Sequence, residues 1–406
     1  MRLATAIACA FVAACLCTLA ATRAQELPPL PAGARSIEVM DEGAYVLSSP
    51  HANGTRRGTL KMGAHLAFVG RVVGDGCTTG AWFALQGGGF VCGRNVRLST
   101  HPPIATSDAP RVQSAMPYEY AFVRVDGTRG FAHPHDAESD DYLEAYGEGF
   151  GLAIMSHSEY AGEGYARTYK GVYVPEDSLH YVRGSEFAGE RITDALHIAW
   201  VVRATANILE RSRGRVLRRA RRLDPLLLTP DANGAALQLA EGGFVAARDV
   251  ARATLHARPE EVGDGEKWVD INVTSQTLVA YEGERPIFAT PVSTGRRGAA
   301  TATPLGVHRV WAKLSTSDMD DLEREDVERN YAMQAVPWVQ YFEHSNGLHA
   351  AFWHDRFGER HSHGCVNLSP SDAHFLFQWS TPVLPPGWSA ILPTAQERSL
   401  VVSVHE

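Results

Sequence analysis

Five side chains able to do chemistry crowd the stretch NGLHAAFWHDRFGERHSHGCVN: His349, His354, His361, His363 and Cys365. Three chemistries suit those residue types. Zinc takes Cys and His, but structural zinc sites use close-spaced ligand pairs. Here one Cys stands without a second pair and the chain holds no HExxH, so a zinc on three histidines is the metal reading left open. The second reading is an inert buried cysteine among satisfied histidines, the ordinary fate of a lone Cys. Against it stand Gly364, a turn-rich approach and a helix start just after the thiol. The third is nucleophilic catalysis, in which a thiol needs a base within hydrogen-bond reach. A helix N-terminus beside the thiol would favour thiolate. Residue chemistry alone leaves His349, His354 and His363 all open as that base.

Cysteine arithmetic bears on the choice. The start, MRLATAIACAFVAACLCTLAATRAQELPP, has one Arg, an apolar stretch from Leu3 to Ala21, then small residues and a polar, Pro-rich run. That pattern predicts a secretory signal over 1–24, with cleavage after Ala24. The VAAC box ending at Cys15 offers a lipid-anchored form as the lesser alternative. Removing 1–24 takes Cys9, Cys15 and Cys17 and leaves Cys77, Cys92 and Cys365. Export means an oxidising compartment, where cysteines pair, and three is odd. Cys77 and Cys92 flank AWFALQGGGFV, a strand, a Gly turn and a strand. Bridging so short a loop would add ~3 kcal/mol in the chain-entropy picture. Cys365 is then the free thiol.

The elements that must position it read as β. WVDINVTSQTLVAYEGERPIFATPVSTG alternates, with Val269, Ile271 and Val273 on one face and Asp270 and Asn272 on the other, so a sheet with one buried face is predicted. EGER makes a turn, TPLGVHRVWAKL another strand, and YAMQAVPWVQYF extended segments broken by Pro337. LSPSDAHFLFQW starts a helix, with Ser369 as cap, Pro370 in first position and Asp372 in the first turn. WSAILPT closes as a strand.

Upstream, an ending recurs every 70 to 80 residues or so: GGGFVCGRNVRLS from Gly87, GVYVPEDSLHYV from Gly171 and GGFVAARDVARA from Gly242. Short aromatic and β-branched strands between glycines predict small all-β modules. They resemble bacterial Src-homology-3-like barrels over 35–100, with degenerate copies over 115–185 and 195–256; a generic β-rich stretch is the alternative for those two. The whole chain is therefore expected to be mainly β: small barrels, then a β-rich unit over 265–394 with short helices.

Composition fits a soluble globular protein of 406 residues, 45% hydrophobic and 21% charged. A formal charge of −8 gives no sign of a nucleic-acid partner. Acidic runs (His135–Gly149, Asp318–Arg329) and the basic run Arg211–Arg222 read as solvated faces. The basic strip touching an anionic glycan or lipid head group and the second acidic run acting as a lid are the functional alternatives. No segment after the signal is a membrane-span candidate.

SHGCVN (Ser362–Asn367), a His sixteen residues before the Cys, and PVSTG, TPLG and VPWVQYF in the same order upstream resemble the L,D-transpeptidase catalytic domain over Lys267–Thr394. The resemblance implies a β-sandwich with short helices and an exported acyltransferase of the periplasm or cell wall. It implies Cys365 as acyl nucleophile, His349 as base and His363 in support. Ser362, Gly364 and Asn367 fill the remaining motif positions, and the backbone N–H groups of Gly364 and Cys365 become candidate oxyanion donors. Trp353 and His354 are expected along the substrate groove; Trp338, Tyr341 and Phe352 are candidates for its lining, with core packing the first expectation for each aromatic taken singly. Ala350 stands where many members have Gly, and Asn367 where others have Arg. The implied substrate is a peptidoglycan stem tetrapeptide, whose terminal D-Ala leaves before an amine accepts the acyl group. Neither metal nor organic cofactor is implied. Glycan strands and protein amines are further partners. The alternatives are an L,D-carboxypeptidase, in which water accepts the acyl group, and a wall-binding protein without turnover.

Overall fold

The computed structural model describes residues 27–105, 115–193, 195–298, 300–320 and 332–406. The signal segment and most of the second acidic run lie outside them. Among the described residues the chain is mainly β, with one α-helix, Pro370–Trp379. No helix among them is long and apolar enough to cross a membrane.

The three recurring endings adopt one local structure, a strand, a single 3-10 turn and a strand. Phe90–Cys92 leads through Gly93–Asn95 to Val96–Ser99, Tyr173–Pro175 through Glu176–Ser178 to Leu179–Val182, and Phe244–Ala246 through Ala247–Asp249 to Val250–Arg252. Cys77 and Cys92 are disulfide-bonded in the first unit, Cα atoms 5.5 Å apart. The second and third units keep apolar clusters of their own, around Leu152, Val174 and Leu179 and around Ile208, Leu237 and Val245. The first keeps only a small one, Cys77, Trp82 and Cys92 around the disulfide, while Ile37, Val46 and Val91 belong to one core with Ile271, Leu348 and Val366.

The three units pack onto the C-terminal region. Strand Arg56–Leu60 of the first pairs antiparallel with Trp388–Ile391. Gly58 is required there, because a Cβ would lie 2.1 Å from the Ala390 carbonyl oxygen. The second unit meets strand Ala332–Glu343 through the Tyr120 hydroxyl, which donates to the Ala335 carbonyl at 2.7 Å.

Strand Lys267–Asn272 carries Val269 and Ile271 into the main core, as their alternation predicts. Its other face is not solvated. Trp268 packs with Trp200 and Tyr281 beneath the third unit, and Asp270 is buried too. A sequence pattern reports polarity along one strand; the covering unit is remote in sequence. Pro337 does not break its segment either. Ala332–Glu343 is one strand of 12 residues, with Ala335 and Trp338 at positive φ and a register shift opposite Ser317/Met319. Such irregularities let a strand accommodate a residue that has no N–H to donate.

The helix begins as its residues dictate. The Ser369 hydroxyl accepts from the Asp372 N–H at 3.1 Å, and Pro370 opens the first turn.

Candidate active site

Two short parallel strands build the site. Asn346–Ala350 pairs with Val366–Leu368, His349 standing opposite Asn367 and Leu348 opposite Val366. Leu348, Ala350, Val366 and Leu368 enter the core. Because side chains alternate, His349 and Asn367 take the opposite face, and Cys365, two residues before Asn367, joins them. The intervening loop 351–364 folds back over that face and brings Trp353 to 5.8 Å from the His349 ring.

The thiol sits at the end of a turn made by its own motif. Ser362 donates its hydroxyl proton to the Cys365 carbonyl and accepts from the Gly364 N–H at 3.1 Å. Gly364 has φ +128, and a Cβ there would lie 2.2 Å from Asn346 Oδ1, so only glycine makes this turn. The turn is pinned to PVSTG: Thr294 O accepts from the N–H groups of His361 and Ser362, and Asn367 and Ser293 exchange two main-chain bonds. The Gly364 N–H is therefore committed to Ser362, which removes it from the expected oxyanion pair. The Cys365 N–H is what remains of that pair.

Cys365 is the free cysteine of the described residues and is partly exposed. Burial of its sulfur pushes the thiol up to about 11, against a Gly347 N–H that favours thiolate. This corrects the helix-terminus expectation. The helix starts at Pro370, five residues on, and desolvation at the sulfur outweighs it. The Sγ lies 3.7 Å from the Ser345 carbonyl.

His349 is 3% exposed, and burial lowers its pKa to about 4. Its Nδ1 lies 3.1 Å from the Ala350 carbonyl. A carbonyl only accepts, so Nδ1 carries the proton and Nε2 keeps its lone pair. The group that orients the ring is thus the next residue's main chain. The resting pair is a neutral thiol and a neutral imidazole.

His354 occupies the same face as a second neutral imidazole, lowered to about 3 by burial and by nearby His361, His349 and Arg356. Its Nδ1 accepts from the Arg356 N–H at 3.1 Å, so Nε2 carries the proton. Nε2 faces the Asn367 amide at 3.0 Å, while Asn367 Oδ1 is buried without a partner. Turning the amide over puts its oxygen on the Nε2–H, satisfying both, an assignment the hydrogen-bond network dictates. His354 thus orients Asn367. His363 is exposed on the turn, Trp353 is half-buried beside His349, and Trp338 and Phe352 are core residues.

The sequence reading missed what holds the loop 351–364 down. Arg222, the last residue of the basic run, turns inward. It donates to the Val202 carbonyl, to Asp355 O at 3.2 Å and Phe357 O at 3.2 Å, and reaches Glu359 at 3.1 Å. Gly358, at φ +94, abuts the third unit, where a Cβ would lie 2.2 Å from Val202 Cγ1. No local signal separates Arg222 from its solvated neighbours.

Residues 266–389 match the family model of YkuD, the L,D-transpeptidase catalytic domain. An L,D-transpeptidase from Stackebrandtia nassauensis is similar at 27% identity over 36% of this chain and 58% of its own, with a TM-score of 0.25. The Enterococcus faecium L,D-transpeptidase is similar at 21% over 36% of this chain and 50% of its own, TM-score 0.27. An L,D-transpeptidase from Mycobacterium smegmatis is similar at 15% over 63% of this chain and 99% of its own, TM-score 0.28. The chain spans about half the length of the first two. No curated protein matches it.

Proposed function

We propose that this chain is an exported peptidoglycan L,D-transpeptidase working through a Cys365 acyl-enzyme. One observation carries the reading: a thiol and an imidazole share one face of a two-strand parallel pair, inside the region that matches the family. Nδ1 of that imidazole is tied to a carbonyl, which frees Nε2 as a base.

With both groups neutral at rest, deprotonation accompanies attack. Sγ bonds to the carbonyl carbon of the stem peptide's diamino acid as its proton passes to His349 Nε2. The Cys365 N–H faces the developing oxyanion; in other enzymes one such donor is worth about 2.7–4 kcal/mol. Collapse breaks the C–N bond, and the imidazolium returns the proton to the departing D-Ala amine. A thioester remains. An acceptor amine then attacks, His349 takes its proton, and the thiolate leaves and is reprotonated. Asn367, held by His354, is buried behind the reacting groups and fixes the loop that frames the groove. The three β units supply wall affinity in this reading.

The test is a tetrapeptide donor with and without an acceptor amine, products read by mass. Cross-linked product with loss of one D-Ala is expected, together with a covalent carbapenem adduct on Cys365. Cross-linking retained by Cys365→Ala would remove the reading, and hydrolysis alone with the amine present would make the enzyme a carboxypeptidase.

A further inference from the structure

A second cluster of ligating side chains lies in another sheet. Strands Lys267–Asn272 and Val401–His405 run parallel in a six-stranded sheet, with Asp270 opposite Ser403 and Asn272 opposite His405. Asp270 and His405 therefore share one face, away from the core that Ile271 enters. The connector from the third unit crosses that face. Its His256 N–H donates to the Tyr281 hydroxyl at 3.1 Å, and the His256 ring stacks on His405 at 4.1 Å. One ligating atom from each of His256, Asp270 and His405 falls within 4.8 Å of the others.

Asp270 is 3% exposed, yet its Oδ1 is buried without a hydrogen-bond partner. Two imidazole nitrogens nonetheless lie close to that oxygen, His405 Nε2 at 3.0 Å and His256 Nδ1 at 3.6 Å. The opposite ring nitrogen of His405, Nδ1, lies 3.0 Å from the Glu406 main-chain oxygen. His405 Nε2 also lies 3.1 Å from Asp270 Oδ2, so this nitrogen faces both carboxylate oxygens, through a proton when Nε2 carries one and through a metal ion when Nδ1 does.

We infer that His256, Asp270 and His405 form a binding site for a divalent transition-metal ion, zinc foremost, that fastens the connector and the last strand to strand Lys267–Asn272. Zinc–nitrogen and zinc–oxygen bonds of about 2.0–2.2 Å put tetrahedral neighbours roughly 3.3 Å apart, which the 3.0 and 3.6 Å separations bracket. Two imidazoles and a carboxylate suit zinc better than calcium or magnesium, which take oxygen ligands. Exposed His256 leaves the fourth position to water. The ion is structural and takes no part in the thiol chemistry.

The test uses the full chain, stripped with a chelator and titrated with cobalt(II) and then zinc. One equivalent of cobalt should bind with visible d–d bands and no sulfur-to-cobalt charge transfer. Zinc should displace it and raise the melting temperature. His256→Gln, at an exposed position that does not threaten folding, should weaken binding by on the order of 100-fold or more, beyond the cost of losing an outer-shell partner. Cys365→Ser should leave binding unchanged. The inference fails if the parent chain binds neither metal, if His256→Gln binds as the parent does, or if a thiolate band appears and Cys365→Ser abolishes binding.

Discussion

Raising pH across the neutral range should speed alkylation of Cys365 without a plateau. Burial holds this thiol up at about 11, against an unperturbed value of 9.0. Two units correspond to about one hundredth of an ordinary thiol's thiolate at pH 7. A more basic thiolate is also a better nucleophile; with a Brønsted slope of ~0.4–0.5, two units return roughly tenfold. The net expectation is alkylation roughly tenfold slower than that of a free-cysteine peptide at pH 7. Each pH unit up to about 10 should then add close to tenfold. The assay is iodoacetamide modification followed by intact mass and peptide mapping, with the peptide in the same tube. Since His349 is neutral at rest, His349→Ala should leave this profile nearly unchanged while abolishing carbapenem acylation, which needs the base. A plateau with its midpoint below about pH 8, or alkylation faster than the free peptide at pH 7, would refute the reasoning. Either would mean a thiolate–imidazolium pair already formed at rest.

Acid should destabilise the fold through the same histidine. His349 binds a proton at about 4 when folded and at 6.5 as an unperturbed group, so its stabilisation is full above pH 6.5 and lost as pH falls through 4. That depression is worth on the order of 3 kcal/mol, and chemical denaturation at pH 7 and pH 4 compared with His349→Gln reads it. Arg222→Ala should leave loop carbonyls unpaired, costing about 1–3 kcal/mol and lowering turnover more than it lowers global stability; kcat and melting temperature measured together check this. Gly358→Ala forces both an unfavourable φ and a clash with Val202, so a loss above about 2 kcal/mol is expected by denaturant titration. Asn367→Asp keeps an acceptor for the His354 N–H but buries a second, charged oxygen without a partner, so a loss of about 1–3 kcal/mol is expected by denaturant titration.

Much of the site was legible in the order of residues because its geometry is local. Ser362, Gly364 and Cys365 close one turn within four residues, and Ser369 with Pro370 starts the helix without outside help. The period-2 run from Val269 fixed a core-facing edge for the same reason. The alternation could not show that Asp270 and Trp268 are also covered, since Trp200 and His256 come from elsewhere in the chain.

Tertiary structure alone decided the electrostatics and the clamp. The thiol's proximity to a helix start suggested a low pKa, yet desolvation by the surrounding strands and loop raised it. Gly364 N–H looked free to hold an oxyanion until the Ser362 rotamer claimed it. Arg222 reads as one arginine among many in a basic run, and what singles it out is a set of carbonyls more than a hundred residues away. Residue type and short spacing determine which groups can react. Burial and the partners that fold in from distant segments determine their protonation and what holds them in place.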